Sequence, residues 1–266
     1  MQSGVEFYLS GLLDSSSGSS SVSDSSSVAS SIPESESESE LCESELSVKV
    51  EGEYCKVYEQ SAKLNKNWIS DLGIFLGMRP SIVTLDLIGI LLSGIDIQLI
   101  GLLTGIQKLG LDNCSLSSEE LHMLSSLNLQ ELTLKNNPVS ELGFLENMHE
   151  LKALNLAYTK ITDDDVGVLS GLNLEQLDLS HTDIGDHAVN EICKIETLVV
   201  LDVSFTEIVY FQSILKLCEL SSLKLINIDG YQFYQPFLEL FLNDYMTRWT
   251  DLKIRGMQFP SEGFRI

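Results

Sequence analysis

Residues 151–174 read LKALNLAYTKITDDDVGVLSGLNL, and their spacing decides the architecture. Leu151, Leu154 and Leu156 lead to Thr159 and Ile161, and a short helix-like run follows. The pattern then restarts at Leu174 with Leu177, Leu179, Thr182 and Ile184. A unit that recurs after 23 residues cannot bury its own apolar face, so copies must stack. The chain is therefore expected to be a solenoid.

Working outward, eight units align, starting at Ile82, Ile106, Leu129, Leu151, Leu174, Leu198, Leu223 and Trp249. Their first, fourth, sixth and eleventh positions are apolar in all 32 cases, against a background of 44% hydrophobic residues, which dismisses chance. The ninth position holds Ile90, Cys114, Asn137, Thr159, Thr182, Thr206, Tyr231 and Met257. The L-x-L triplet predicts a short strand with alternate side chains inward. The backbone then turns, and its buried N–H and C=O groups need partners. Asn137, Thr159, Thr182 and Thr206 can supply them, and Cys114 can do so weakly. The units from 106 to 208 are read as the regular body and the first and last as caps, bulked up by Phe233, Trp249 and Phe259.

The motif LxxLxLxx(N/C/T)xL resembles the leucine-rich-repeat superfamily over about residues 82–259. LDLSHTDI and LDVSFTEI look like the cysteine-containing and F-box-associated branches. The resemblance implies an α/β fold, with a curved parallel sheet on the concave face and helices on the convex face. Its functional implication is protein interaction and nothing narrower. Two alternatives belong to the same resemblance: a substrate-recognition subunit of a ubiquitin ligase, and an acidic histone-type chaperone. No F-box helix pattern precedes residue 82, and the acidic nuclear leucine-rich phosphoproteins carry their acidic tail after the repeats, not before them.

Apolar pairs such as Leu121 with Leu124, Val166 with Leu169, Val189 with Ile192 and Leu238 with Phe241 predict the convex helices. Ser117 with Glu120 forms a capping box, and Thr162 with Asp163, Asp164 and Asp165 suits a helix start. Pro236 fits the first turn of the last helix.

Three segments follow. Residues 1–47 form a Ser/Glu-rich arm with too little apolar surface to offset the entropy of ordering, so disorder is expected. Val5, Phe7, Tyr8, Leu9, Leu12 and Leu13 at its start suggest a docking motif that folds on a partner. Ser35, Ser37, Ser39 and Ser44 sit beside glutamates, the context an acidophilic kinase reads, and are candidate phosphorylation sites. Residues 48–81 are expected to cap the solenoid. Val48 and Val50 followed by Cys55 and Val57 fit a hairpin, a helix from 53 to 64 fits as well, and Trp68, Leu72 and Phe75 mark a helix ended by Gly77 and Pro80. Residues 82–266 are the repeat domain.

The formal net charge is −23, and residues 1–60 hold only −10 of it, so the repeat domain is itself acidic. This disfavours nucleic acid and anionic membrane surfaces and favours a protein partner with a basic or mixed basic-apolar surface. Five scattered cysteines without a CxxC pair give no disulfide framework or zinc knuckle. No basic leader and no run of about 18 apolar residues is seen, and an intracellular location, cytoplasmic or nuclear, is expected. Four histidines lack metal spacing; the group His181, Asp183, Asp186 and His187 straddles a loop and a helix start. With no phosphate loop or nucleophile elbow, neither an enzyme nor a cofactor is expected.

The candidate binding residues lie at strand positions that face outward. Asp178 and Asp202 share one column with Asn155 and Asn227, and Asp229 lies two residues beyond. Tyr158, His181 and Phe205 occupy the eighth position of three consecutive units. An aromatic stripe beside an acidic column suits a basic, partly apolar peptide.

Overall fold

A computed structural model describes residues 46–51, 54–63, 83–231 and 252–256, all of which lie in one compact unit, Glu43–Ile266. Ten strands form a single sheet in chain order. Strands β1 (Leu46–Glu51) and β2 (Tyr54–Lys63) make an antiparallel hairpin, so the strand alternative is the one realised there. From β2 onward every pairing is parallel: β3 (Thr84–Asp86), β4 (Lys108–Gly110), β5 (Glu131–Thr133), β6 (Ala153–Asn155), β7 (Gln176–Asp178), β8 (Val200–Asp202), β9 (Leu225–Asn227) and β10 (Lys253–Arg255).

The register follows the repeat. Leu85, Leu109, Leu132, Leu154, Leu177, Leu201 and Ile226 stand opposite one another in sequence, none more than 2% exposed. Each strand's inward residue thus packs on its counterpart in the next unit, which is what one lone unit cannot do.

The last unit departs from expectation. Lys253 pairs with Leu225 and Ile254 with Ile226, whereas a start at Trp249 would put Leu252 opposite Ile226. The slip is two residues. A strand repeats its facing direction every two residues, so this slip leaves apolar side chains on the core side and is invisible in the apolar pattern. Lys253 and Arg255, rather than Asp251 and Lys253, therefore take the third and fifth positions.

The convex side is built from short elements. They are α1 (Gly94–Gly101), α2 (Ser118–Leu121) running into a 3-10 turn at His122–Leu124, 3-10 turns at Gly143–Leu145 and Val166–Gly171, α3 (Ala188–Ile192) and α4 (Phe211–Cys218). Leu121, Leu124, Val166, Leu169, Val189 and Ile192 are buried there, as their spacing predicts. The pair Leu238 and Phe241, Pro236, the bulky Phe233, Trp249 and Phe259, the helix around Trp68, and the arm with its serines lie outside the described residues.

Position twelve of a unit is where the chain enters this side. Ser93, Ser117 and Thr162 there each give their N–H to a carboxylate three residues on: Asp96 at 2.8 Å, Glu120 at 2.7 Å and Asp165 at 2.8 Å. Position thirteen serves the following unit instead. The Ser118 hydroxyl accepts from the N–H of Ser140 (3.0 Å) and Glu141 (2.9 Å), Asp163 accepts from Gly185 (2.5 Å), and Asp186 accepts from Val209 (3.2 Å) and Tyr210 (3.1 Å). Asp163 and Asp165 are thus spent on helix starts, one of them 22 residues away.

The ninth-position groups satisfy the turn backbone. Asn137 accepts from the N–H of Cys114 (3.1 Å) and Leu116 (3.0 Å), and donates to the carbonyls of Leu111 and Leu134, both at 2.8 Å, and of Lys135 at 3.3 Å. Thr159, Thr182 and Thr206 each donate to the carbonyl three residues earlier. The Cys114 thiol reaches the Leu87 carbonyl, and the Tyr231 hydroxyl reaches back to the Val203 carbonyl and Thr206. Burial pushes the thiol of Cys114 up to about 11 and that of Cys218 up to about 12, as befits small core residues.

Candidate functional site

The eighth position closes each strand with a left-handed turn. Gly89, Asn113, Asn136, Tyr158, His181, Phe205 and Gly230 all have positive φ, between 54° and 90°. Through Phe205, the N–H at this position donates to the seventh-position carbonyl of the next unit, at 2.7–3.0 Å. Those bonds fix the backbone, so successive side chains leave it in the same direction.

Glycine and asparagine accept this conformation readily; a bulky L-residue in it costs about 1–2 kcal/mol. Units four to six nevertheless carry Tyr158, His181 and Phe205, and their rings stack. Tyr158 and His181 have centroids 4.1 Å apart at 14°, and His181 and Phe205 have centroids 4.5 Å apart at 12°. This spacing matches the distance of about 4.8 Å between neighbouring strands. Both faces of the His181 ring are therefore covered. Lys135 places its ammonium 5.6 Å from the Tyr158 centroid, and Gly230 lies under Phe205, where a Cβ would come within 2.7 Å of the ring. What the ladder offers outward is ring edges, with Tyr158 47% and Phe205 53% exposed. Edges favour apolar groups, carbonyl oxygens and the faces of other rings over cations.

The acidic column behaves differently from the expectation of an open surface. The fifth-position side chain accepts the N–H two residues on: Asn155 from Ala157 (2.9 Å), Asp178 from Ser180 (2.9 Å), Asp202 from Ser204 (2.9 Å) and Asn227 from Asp229 (3.2 Å). The Asp of the LDLS phrase thus secures its own turn. Asp202 is only 4% exposed; it also accepts from the Ser204 hydroxyl and from Asn227. Its carboxylate is committed to the fold rather than offered to a partner, because Ser204, Asn227 and Asp178 crowd it in register. Asn155, Asp178, His181 and Asp229 are half-buried.

Burial pushes the carboxyl of Asp178 from 3.8 up to about 6, and the neighbouring charge of Asp202 pushes the same way. The folded chain then holds a proton that the unfolded chain releases near 3.8, so stability falls as pH rises from about 4 to 6. Asp178→Asn keeps the acceptor for Ser180 and removes this cost. The variant is expected to be more stable than the parent at pH 7, by up to about 3 kcal/mol, with the difference vanishing near pH 4. Urea titrations across that range check it; a constant difference would count against it.

The metal-like group on paper is dispersed. His181 is in the ladder, Asp186 caps the next unit, and His187, with its side chain 93% exposed, faces Asp163 at 3.5 Å. No group of three or more His, Cys, Asp or Glu able to hold a metal ion occurs among the described residues. Among them, no helix is long and apolar enough to cross a membrane.

Sequence reasoning placed the three aromatics side by side but missed the left-handed turn that each occupies. The signal was present: the same position holds Gly or Asn in the other described units, which marks a left-handed turn. Val209 and Tyr210, 79% and 69% exposed, were also missed.

Residues 128–184 match a family model described as leucine rich repeat. Comparison with curated proteins gives no match. Among solved structures, the chain is similar to internalin C2 of Listeria monocytogenes, with 18% identity over 64% of this chain and 69% of that one, at a TM-score of 0.48. It is also similar to the internalin inlF of the same organism, with 15% identity over 70% of this chain and 57% of that one, at a TM-score of 0.52. The latter likeness is one of fold. Residues 128–184 thus carry leucine-rich repeats, and the same repeat spacing and in-register parallel sheet give the described units a leucine-rich-repeat fold.

Proposed function

We propose that this chain is a protein-binding adaptor that holds its partner against the concave side and strand-end turns of units four to seven. The fold supports protein interaction in general; the location rests on the aromatic ladder. Tyr158, His181 and Phe205 occupy left-handed turns at a cost that Gly or Asn would avoid, and they do so in consecutive units only. Strain concentrated at one place of an otherwise regular repeat points to function there. The ring edges supply apolar contact, while the half-buried Asp178 and Asp229 set a preference for a basic neighbour. Phosphorylation at Ser35, Ser37, Ser39 and Ser44 would add about −1.5 to −2 charges per site and strengthen that preference at long range.

The test replaces Tyr158 and Phe205 by asparagine, which already sits in the same turn at Asn113 and Asn136 and so preserves the backbone. The partner recovered by the parent chain is expected to bind the double variant at least tenfold more weakly, as for an interface that loses two aromatic anchors. Equal recovery at equal thermal stability would rule the ladder out.

A further inference from the structure

Position twelve is polar or glycine in units one to five: Ser93, Ser117, Ser140, Thr162 and Gly185. In unit six it is Val209, followed by Tyr210. Neither side chain caps the start of α4, because Asp186 of the preceding unit accepts both N–H groups at 3.2 and 3.1 Å. Relieved of capping, the two side chains point outward at 79% and 69% exposure. Leu91, Ile95 and Leu102 in unit one are exposed to a similar degree, but Val209 and Tyr210 are adjacent and lie in the unit that ends the ladder. Phe205, the last ring of the ladder, is four residues upstream of Val209 on the same connection.

The charge around this edge is mainly negative. Residues 160–216 contain 11 carboxylates and three lysines, Lys160, Lys194 and Lys216. Asp183 and Glu207, at the tenth position of units five and six, are both exposed beside the ladder turns. An apolar pair set in such a field is complementary to a cationic surface with an apolar centre.

We infer that Val209 and Tyr210 extend the ladder over the loop edge into one contact surface, and that its occupant is a basic polypeptide segment carrying an aliphatic or aromatic anchor. This deepens the adaptor reading and rests on it for the location, since the segment runs from the Phe205 turn to the start of α4. The carboxylates accelerate and orient the encounter, and the apolar pair holds the anchor.

A random-peptide library displayed on phage and selected against the full chain tests this. Enriched peptides are expected to combine an apolar residue with at least two neighbouring Lys or Arg. Their binding should weaken about tenfold in Val209→Ser/Tyr210→Ser and weaken further with added salt. Both positions are exposed and their N–H groups stay capped by Asp186, so the thermal midpoint is expected to hold. Enriched peptides without basic residues, undiminished binding to the serine variant, or no enrichment would each overturn the inference. Binding lost in Tyr158→Asn/Phe205→Asn but kept in the serine variant overturns it while leaving the ladder reading intact. Binding lost in the serine variant alone overturns the joint surface as well, because the ladder then takes no part.

Discussion

Asn137→Ala is expected to lower the unfolding free energy by about 4 kcal/mol, the largest loss for any single ninth-position residue. The side chain is 2% exposed and makes five hydrogen bonds to backbone groups of two successive units. Alanine leaves the N–H groups of Cys114 and Leu116 facing an apolar void, and each buried orphan costs about 1–3 kcal/mol. The carbonyls of Leu111 and Leu134 lose a donor as well. Thr159→Val, by contrast, removes one bond to the Leu156 carbonyl and is expected to cost about 1 kcal/mol. Thermal unfolding of both variants decides it: a midpoint drop of about 10 °C for the first and a few degrees for the second. Similar drops would mean that the asparagine does no more than the threonines.

Gly230→Ala tests the ladder from its end without touching a ring. At φ of 90° the added methyl group is strained by itself, and it would lie 2.7 Å from Phe205 Cδ1 and 3.1 Å from Cε1. Phe205 must swing away, breaking its stack on His181. The strain of about 1–2 kcal/mol and the lost ring contact of about 1 kcal/mol together give an expected destabilisation of about 2–3 kcal/mol. The near-ultraviolet circular dichroism should change while the far-ultraviolet spectrum stays as in the parent. Partner affinity should fall with the stack, by about tenfold under the adaptor reading. An unchanged aromatic signal would show that the ring tolerates the methyl group and that the ladder is not closed by this glycine.

Much of this architecture can be read in the leucines. Leu154, Leu177 and Leu201 announce both the strands and their register, because a column of identical inward positions is the only way to bury them. The ninth-position polar groups announce the turn that they satisfy. What escapes is whatever repeats with the wrong symmetry or acts across units. The slip at β10 leaves Leu252 and Ile254 equally acceptable, since either keeps an apolar side chain on the core side. The capping of Val209 by Asp186 spans 23 residues, so no local window contains it. Asp202 shows the opposite failure: its place in the column was legible, but its burial was not, because that depends on Ser204 and on Asn227 in the next strand. The left-handed turns fall between these cases. Gly89, Asn113 and Gly230 declare them, and the aromatics between hide them.

The handover of capping from one unit to the next also constrains the order in which substitutions could accumulate. Without a carboxylate at position 186, the N–H groups of Val209 and Tyr210 at the start of α4 would lack their acceptor, at a penalty of about 1 kcal/mol, as for any lost cap. With Asp186 in place that penalty is absent, and positions 209 and 210 can carry apolar residues. Asp186 is thus a permissive residue, and Val209 and Tyr210 are its beneficiaries. Ancestral sequences rebuilt along the lineage should show the aspartate arriving first.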